Sequence, residues 1–158
     1  MFAIRAGQLI DGTGRAPTKG VTVVIDGDRI VEVGPSEGIS LSGDCPVVDA
    51  SAYTLMPGLI DAHVHLTHSG EAGVSYEERM LRETTGLLAI QGLFNAQKDL
   101  MAGFTTVRDC GARNYTNIDI RQAFETGLAV GPRVVACGIG ICSTGGHMDS
   151  NRYRDVEL

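Results

Sequence analysis

From residue 59 onward the sequence alternates short β-branched runs with longer amphipathic stretches, and this alternation constrains the fold most. Leu59-Ile60-Asp61-Ala62-His63-Val64-His65-Leu66 reads as a buried strand ending in polar groups. A loop with Ser69-Gly70 and Ala72-Gly73 follows, then a helix over about Tyr76 to Ala102. Leu87, Ile90, Phe94 and Met101 recur at helical spacing, and Ala89, Leu93, Ala96 and Leu100 give a second stripe. Gly103 is placed to stop that helix. Phe104–Asp109 reads as a second strand, Asn117 as the cap of a helix over about Ile118 to Thr126, and Arg133–Cys137 as a third strand. Strand, helix, strand, helix, strand is the order of a parallel sheet or barrel, because parallel neighbours need a crossover between them.

The residues before this point read differently. Phe2–Ala6 is a short strand, and Val21–Ile25 and Ile30–Val33 flank Asp26-Gly27-Asp28-Arg29 as a hairpin. Val47-Val48-Asp49 opens a further strand. Residues 1–55 therefore form a small β unit with little area for a core of its own, and residues 56–158 the β/α unit.

Composition narrows the function classes. The net charge is -6, which disfavours a nucleic-acid surface rich in Lys and Arg. No apolar run is long enough to span a membrane, and Met1-Phe2-Ala3-Ile4-Arg5 lacks the layout of a signal peptide. Cys45, Cys110, Cys137 and Cys142 form no Cys-x-x-Cys pair and read as reduced thiols of a cytoplasmic protein. Gly138-Ile139-Gly140 lacks the full dinucleotide fingerprint, and no Gly-x-Ser-x-Gly elbow occurs. Cys137 and Cys142 lack a zinc partner set, and Cys110 reads as a buried packing thiol rather than a nucleophile.

His63-Val64-His65 is the sharpest chemical feature. Side chains at i and i+2 of a strand share a face, so two imidazoles can share one metal ion; the alternative is two unrelated strand-end histidines. Asp61 has the same spacing and belongs either to the polar surroundings of that pair or to a solvated strand end. Asp109 ends the second strand, either hydrogen-bonding a ligand histidine or leading the next turn. His68 reads as a surface or rim residue, and nothing singles out Arg113 or Arg152 as partners of an acidic group.

Met56-Pro57-Gly58-Leu59-Ile60-Asp61-Ala62-His63-Val64-His65-Leu66 resembles the opening motif of the amidohydrolase superfamily. Ala102-Gly103-Phe104-Thr105-Thr106-Val107-Arg108-Asp109, Gly131-Pro132-Arg133-Val134 and Ser143-Thr144-Gly145-Gly146-His147 extend the resemblance. They are similar to the branch of imidazolonepropionase-like enzymes and Xaa-Pro or Xaa-Arg dipeptidases. The resemblance implies an α/β chain: the N-terminal part of a (β/α)8 TIM-type barrel, preceded by part of a β-sandwich. It implies a hydrolase of C–N bonds in a small amide or dipeptide, with divalent metal, usually Zn²⁺, two ions holding a bridging hydroxide in the complete enzyme. His63 and His65 then map onto the pair that ligates the more buried ion, and His147 onto a substrate contact, a mobile loop histidine being its alternative.

A complete barrel takes about 250 residues, so this length has room for about three of its eight strands. The family's carboxylated Lys, two later histidines and acid/base Asp would lie beyond residue 158, and neither Lys19 nor Lys98 suits the bridging position. The expectation is an N-terminal portion that is poorly folded and inactive in isolation. A homo-oligomer stays open for the complete enzyme, and the rival expectation is a short non-catalytic remnant serving as an interaction module.

Overall fold

The computed structural model describes residues 1–68, 70, 73 and 75–149. Contacts divide the chain into two units, Met1–Pro57 and Gly58–Leu158.

In the first unit, β1 (Phe2–Leu9), β2 (Thr18–Asp26), β3 (Arg29–Pro35) and β4 (Val47–Leu55) form one sheet in the order β3-β2-β1-β4. β2 pairs antiparallel with β1 and with β3, whereas β4 runs parallel to β1. The β2–β3 turn is the expected one, with Asp26 opposite Arg29 and Gly27 at φ 59°. That positive φ matches the twist of a two-residue hairpin and favours glycine. Gly7 sits where the β1–β4 register shifts, and a Cβ there would run into the Ser51 carbonyl oxygen. Ala3, Ala6, Val21, Val23 and Val24 are buried, while Ile30, Val31, Val47 and Val48 remain exposed.

In the second unit, β5 (Leu59–Val64), β6 (Phe104–Asp109) and β7 (Arg133–Ala136) are parallel and lie in the order β5-β6-β7. Consecutive parallel strands joined through helices are the repeating unit from which a β/α barrel wall is built. Among the described residues, α1 (Tyr76–Arg82) and α2 (Thr85–Met101) connect β5 to β6, and α3 (Thr116–Glu125) connects β6 to β7. Leu66, Ala96, Val107, Ile120 and Val134 form the core, with Val64, Leu93, Phe104 and Phe124 packed against it. No helix among the described residues is long and apolar enough to cross a membrane.

Four expectations are corrected. The single helix over 76–102 is two, because Glu83 is extended and Thr84 restarts the helix by accepting a hydrogen bond from the Leu87 amide. Of its two stripes, Leu87, Ile90, Phe94 and Met101 are exposed, whereas Ala89, Leu93, Ala96 and Leu100 are half-buried or buried; α2 also buries Leu88 and Gly92, whose lack of a side chain lets Ile120 of α3 approach. Asn117 does not cap α3: the cap position is Tyr115, and Asn117 lies fully buried inside the first turn. β5 is not a buried strand, since Leu59, Ile60, Ala62 and His63 are exposed; among the described residues it pairs with β6 alone, at the edge of the sheet.

Ile120 is 1% exposed and touches the α2 glycine. Ile120→Ala is expected to lower the unfolding free energy of the second unit by about 2–5 kcal/mol, measured by urea denaturation.

Candidate functional site

The C-terminal ends of parallel strands are where β/α folds gather polar groups. There, His63 closes β5 and His65 follows it by one pleat. Their ring centroids are 5.4 Å apart, edge to face. Two imidazoles bound to one tetrahedral ion at about 2.0–2.1 Å bring their centroids to about 5 Å, and the spacing of this pair is close to that value. His68 stands at a similar 5.3 Å from His65 but comes from the following turn, its amide donating to the His65 carbonyl. Desolvation first, then the charges of His65 and Arg79, lowers the His68 pKa and favours the neutral ring. Among the described residues, no three His, Cys, Asp or Glu side chains group as a metal site.

His65 is half-buried, and its Nδ1 lies 2.9 Å from the Gly111 carbonyl oxygen. A carbonyl only accepts, so Nδ1 carries a proton, and in the neutral ring Nε2 then keeps its lone pair. That is the form in which imidazole binds a metal, and a hydrogen bond at the other ring nitrogen is the usual support of such a ligand. His63 is exposed; its backbone amide donates to Asp61 Oδ1 at 3.0 Å. Asp61 therefore acts on the strand backbone beside the pair. Its charge is also felt at α2, where desolvation first and Asp61 second raise the Asp99 pKa.

Asp109 is fully buried at the end of β6. Its Oδ2 accepts from the Leu66 amide at 2.8 Å. Its Oδ1 accepts from the Gly111 amide at 2.9 Å and from Asn117 Nδ2 at 2.8 Å. These bonds run to backbone and to an amide side chain, so both earlier alternatives are modified. Asp109 makes an Asx turn into the next loop and also ties that loop to the residue after His65. Asn117 Nδ2 also donates to the Gly138 carbonyl at 3.0 Å, reaching the loop after β7. In the turn after His65, the Leu66 carbonyl accepts from Asn95 Nδ2 of α2 at 2.8 Å.

His147 is exposed in the turn that follows β7. Its neighbour Met148 lays its methyl group against Gly111 and Gly140, which docks this turn beside the peptide that meets His65. Arg113 borders a small hollow with His68, Arg79 and Glu83, and Arg152 lies outside the described residues, as do Ser69 and Ala72 of the expected loop. Cys110 is half-buried rather than buried, and Cys137 is exposed. Desolvation, then the neighbouring Asp109 and Cys110, raises the Cys137 pKa, which keeps it a protonated and weakly nucleophilic thiol.

Gly111, Asn117, Asn95 and Met148 carried no signal as site residues in the sequence. Only the Asp109-x-Gly111 spacing, which suits an Asx turn, gave a local indication.

The second unit is thus a parallel β/α scaffold that carries a histidine pair at a strand end. The chain belongs to the amidohydrolase family, whose model matches residues 54–155. An adenine deaminase of Rubrobacter xylanophilus is 26% identical over 150 residues, covering 85% of this chain and 24% of the deaminase. An imidazolonepropionase of an Arthrobacter species is 39% identical over 66 residues, 42% of this chain and 16% of that enzyme. The crystal structure of a Xaa-Pro dipeptidase with bound methionine in its active site superposes with a TM-score of 0.77 at 33% identity. That match covers 94% of this chain and 36% of the dipeptidase, so the chain spans about a third or less of these relatives.

A Cβ on Gly111 would lie 2.7 Å from the Met148 methyl and 3.1 Å from Gly140 Cα. Gly111→Ala is expected to destabilise the second unit by about 1–3 kcal/mol through overpacking, read from the shift of a urea denaturation curve. An unchanged midpoint would show that Met148 and Gly140 give way freely.

Proposed function

We propose that this chain carries the first metal-ligand pair of a metal-dependent hydrolase acting on C–N bonds, with His63 and His65 as ligands of a divalent cation. The observation that carries the reading is the 2.9 Å contact of His65 Nδ1 with the Gly111 carbonyl, which leaves Nε2 as a lone-pair donor beside the His63 ring. Imidazole donors suit Zn²⁺, and two of them fill part of a tetrahedral shell. A bound divalent cation supplies Lewis acidity toward a carbonyl and lowers the pKa of water near neutrality. The protein's own part is to hold the two rings on one strand face and to place the turn after β7 beside them.

Amides and dipeptides are the favoured substrates. The dipeptidase match covers nearly all of this chain, and that relative holds an amino acid, methionine, in its active site. The imidazolonepropionase match supports the second substrate type. His147, in a turn docked through Met148 next to Gly111, is the residue assigned to substrate contact. Asp61 and Asp109 support the pair through the backbone. Two imidazoles fall short of a closed site, so turnover by residues 1–158 alone is not expected.

Zn²⁺ binding tests the reading without needing turnover. The chain is expected to bind Zn²⁺ in competition with a chromogenic chelator, and His63→Ala and His65→Ala are each expected to weaken binding about tenfold or more. His147→Ala should leave the Zn²⁺ affinity unchanged. Equal Zn²⁺ affinity in all four proteins would overturn the assignment of the pair.

A further inference from the structure

Asp109 and Asn117 are both fully buried, yet neither hydrogen-bonds a histidine ring among the contacts described. Their effect reaches His65 through one peptide group. The Gly111 carbonyl, which meets His65 Nδ1, shares a planar peptide with the Ala112 amide. In a trans peptide those two groups point in opposite directions, so fixing one fixes the other. The Ala112 amide donates to the Gly138 carbonyl at 3.0 Å, and the same carbonyl accepts from Asn117 Nδ2 at 3.0 Å. The preceding peptide is held as well, because the Gly111 amide donates to Asp109 Oδ1. The other carboxylate oxygen holds the Leu66 amide, directly after His65. Both the ring's acceptor and the backbone that carries the ring are therefore tied to one buried carboxylate.

Given the metal-ligand reading of His65, on which this rests, we infer that Asp109 and Asn117 act together as positioning residues, aiming the Gly111 carbonyl so that His65 holds its proton on Nδ1 and presents Nε2 to the cation. Asn117 belongs to this device and not to a helix cap. Its Nδ2 spends both hydrogens on Asp109 and Gly138, joining the loops after β6 and β7. A carboxylate is suited to the 109 position because all its neighbours in the network are N–H donors. An amide there would turn a donor toward one of them.

The test is the tautomer of His65, read from ring nitrogen chemical shifts in ¹⁵N-histidine-labelled, metal-free protein at mildly alkaline pH, where imidazole is neutral. The parent chain should show His65 with Nδ1 protonated. Asp109→Asn and Asn117→Ala should shift it toward the mixed tautomers of an unrestrained ring. Zn²⁺ affinity should fall about ten- to a hundred-fold with it. Asn117→Ala leaves two amides on Asp109 and removes one side chain amide, so it serves where Asp109→Asn fails to fold. A parent His65 protonated on Nε2 would overturn the inference. So would an unchanged Nδ1 tautomer in folded Asn117→Ala, whatever its stability. A tautomer shift in variants of a parent that binds no Zn²⁺ would uphold the positioning device and sink the metal reading.

Discussion

The arrangement around the site depends on one buried carboxylate. Taking Asp109 out of water costs several kcal/mol unless its oxygens are supplied with donors. Three N–H groups supply them, from Leu66, Gly111 and Asn117. These donors come from the turn after β5, the loop after β6 and the first turn of α3. The desolvation cost is thus offset only when three separate segments converge on the end of β6. A missing segment would leave a buried charge short of donors, so the carboxylate couples the strand-end loops to one another. Removing such a partner is far more costly than never having placed the charge.

The same convergence explains why glycine and small residues border the site. Gly111, Gly138 and Gly140 lie where backbone, Met148 and Tyr115 approach closely. Gly138 adopts φ 80°, a left-handed conformation that a side chain would strain. Asn114 and Tyr115 take positive φ without being glycine, at 52° and 59°, in the segment between Asp109 and Asn117. Left-handed backbone at non-glycine residues persists where surrounding contacts over-determine it. Here, the Asn114 side chain donates to Thr85 Oγ1 at 2.9 Å, and Asn117 is anchored at both Nδ2 hydrogens.

The sequence made the strands legible because periodicity and turn chemistry are local, but not the parallel pairing of β4 with β1. Asp26-Gly27-Asp28-Arg29 announced its hairpin, and the β-branched run at Phe104–Asp109 announced its strand. His63 and His65 were legible as a pair for the same reason, since strand alternation alone puts them on one face. What failed was decided by partners distant in sequence. Asn117 has the residue type of a cap, but a carboxylate eight positions earlier and a carbonyl 21 positions later draw its amide inward. Helical spacing alone offered two stripes, and only that of Ala89, Leu93, Ala96 and Leu100 faces the core. Gly92, which scores as a helix breaker, marks the real contact because Ile120 needs the space. The break at Glu83-Thr84 depends on a cap that Thr84 forms with its own hydroxyl, and the adjoining Thr85 offered the same chemistry.

The two histidines are held by different means, and the difference bears on how such a pair works. Asp61 takes the backbone amide of His63, which fixes the strand and leaves the exposed ring to its own rotamers. His65 is held at the ring itself, half-buried and tied to Gly111. Under the proposed metal reading, one donor is therefore preorganised and the other adjustable. Restricting a ring before the cation arrives removes part of the ordering cost of binding. An adjustable second ring tolerates small differences in ion position, which a rigid pair would reject. The buried carboxylate thus sits behind the member of the pair whose direction is set in advance, and its cost in desolvation is localised where positional accuracy has the most effect.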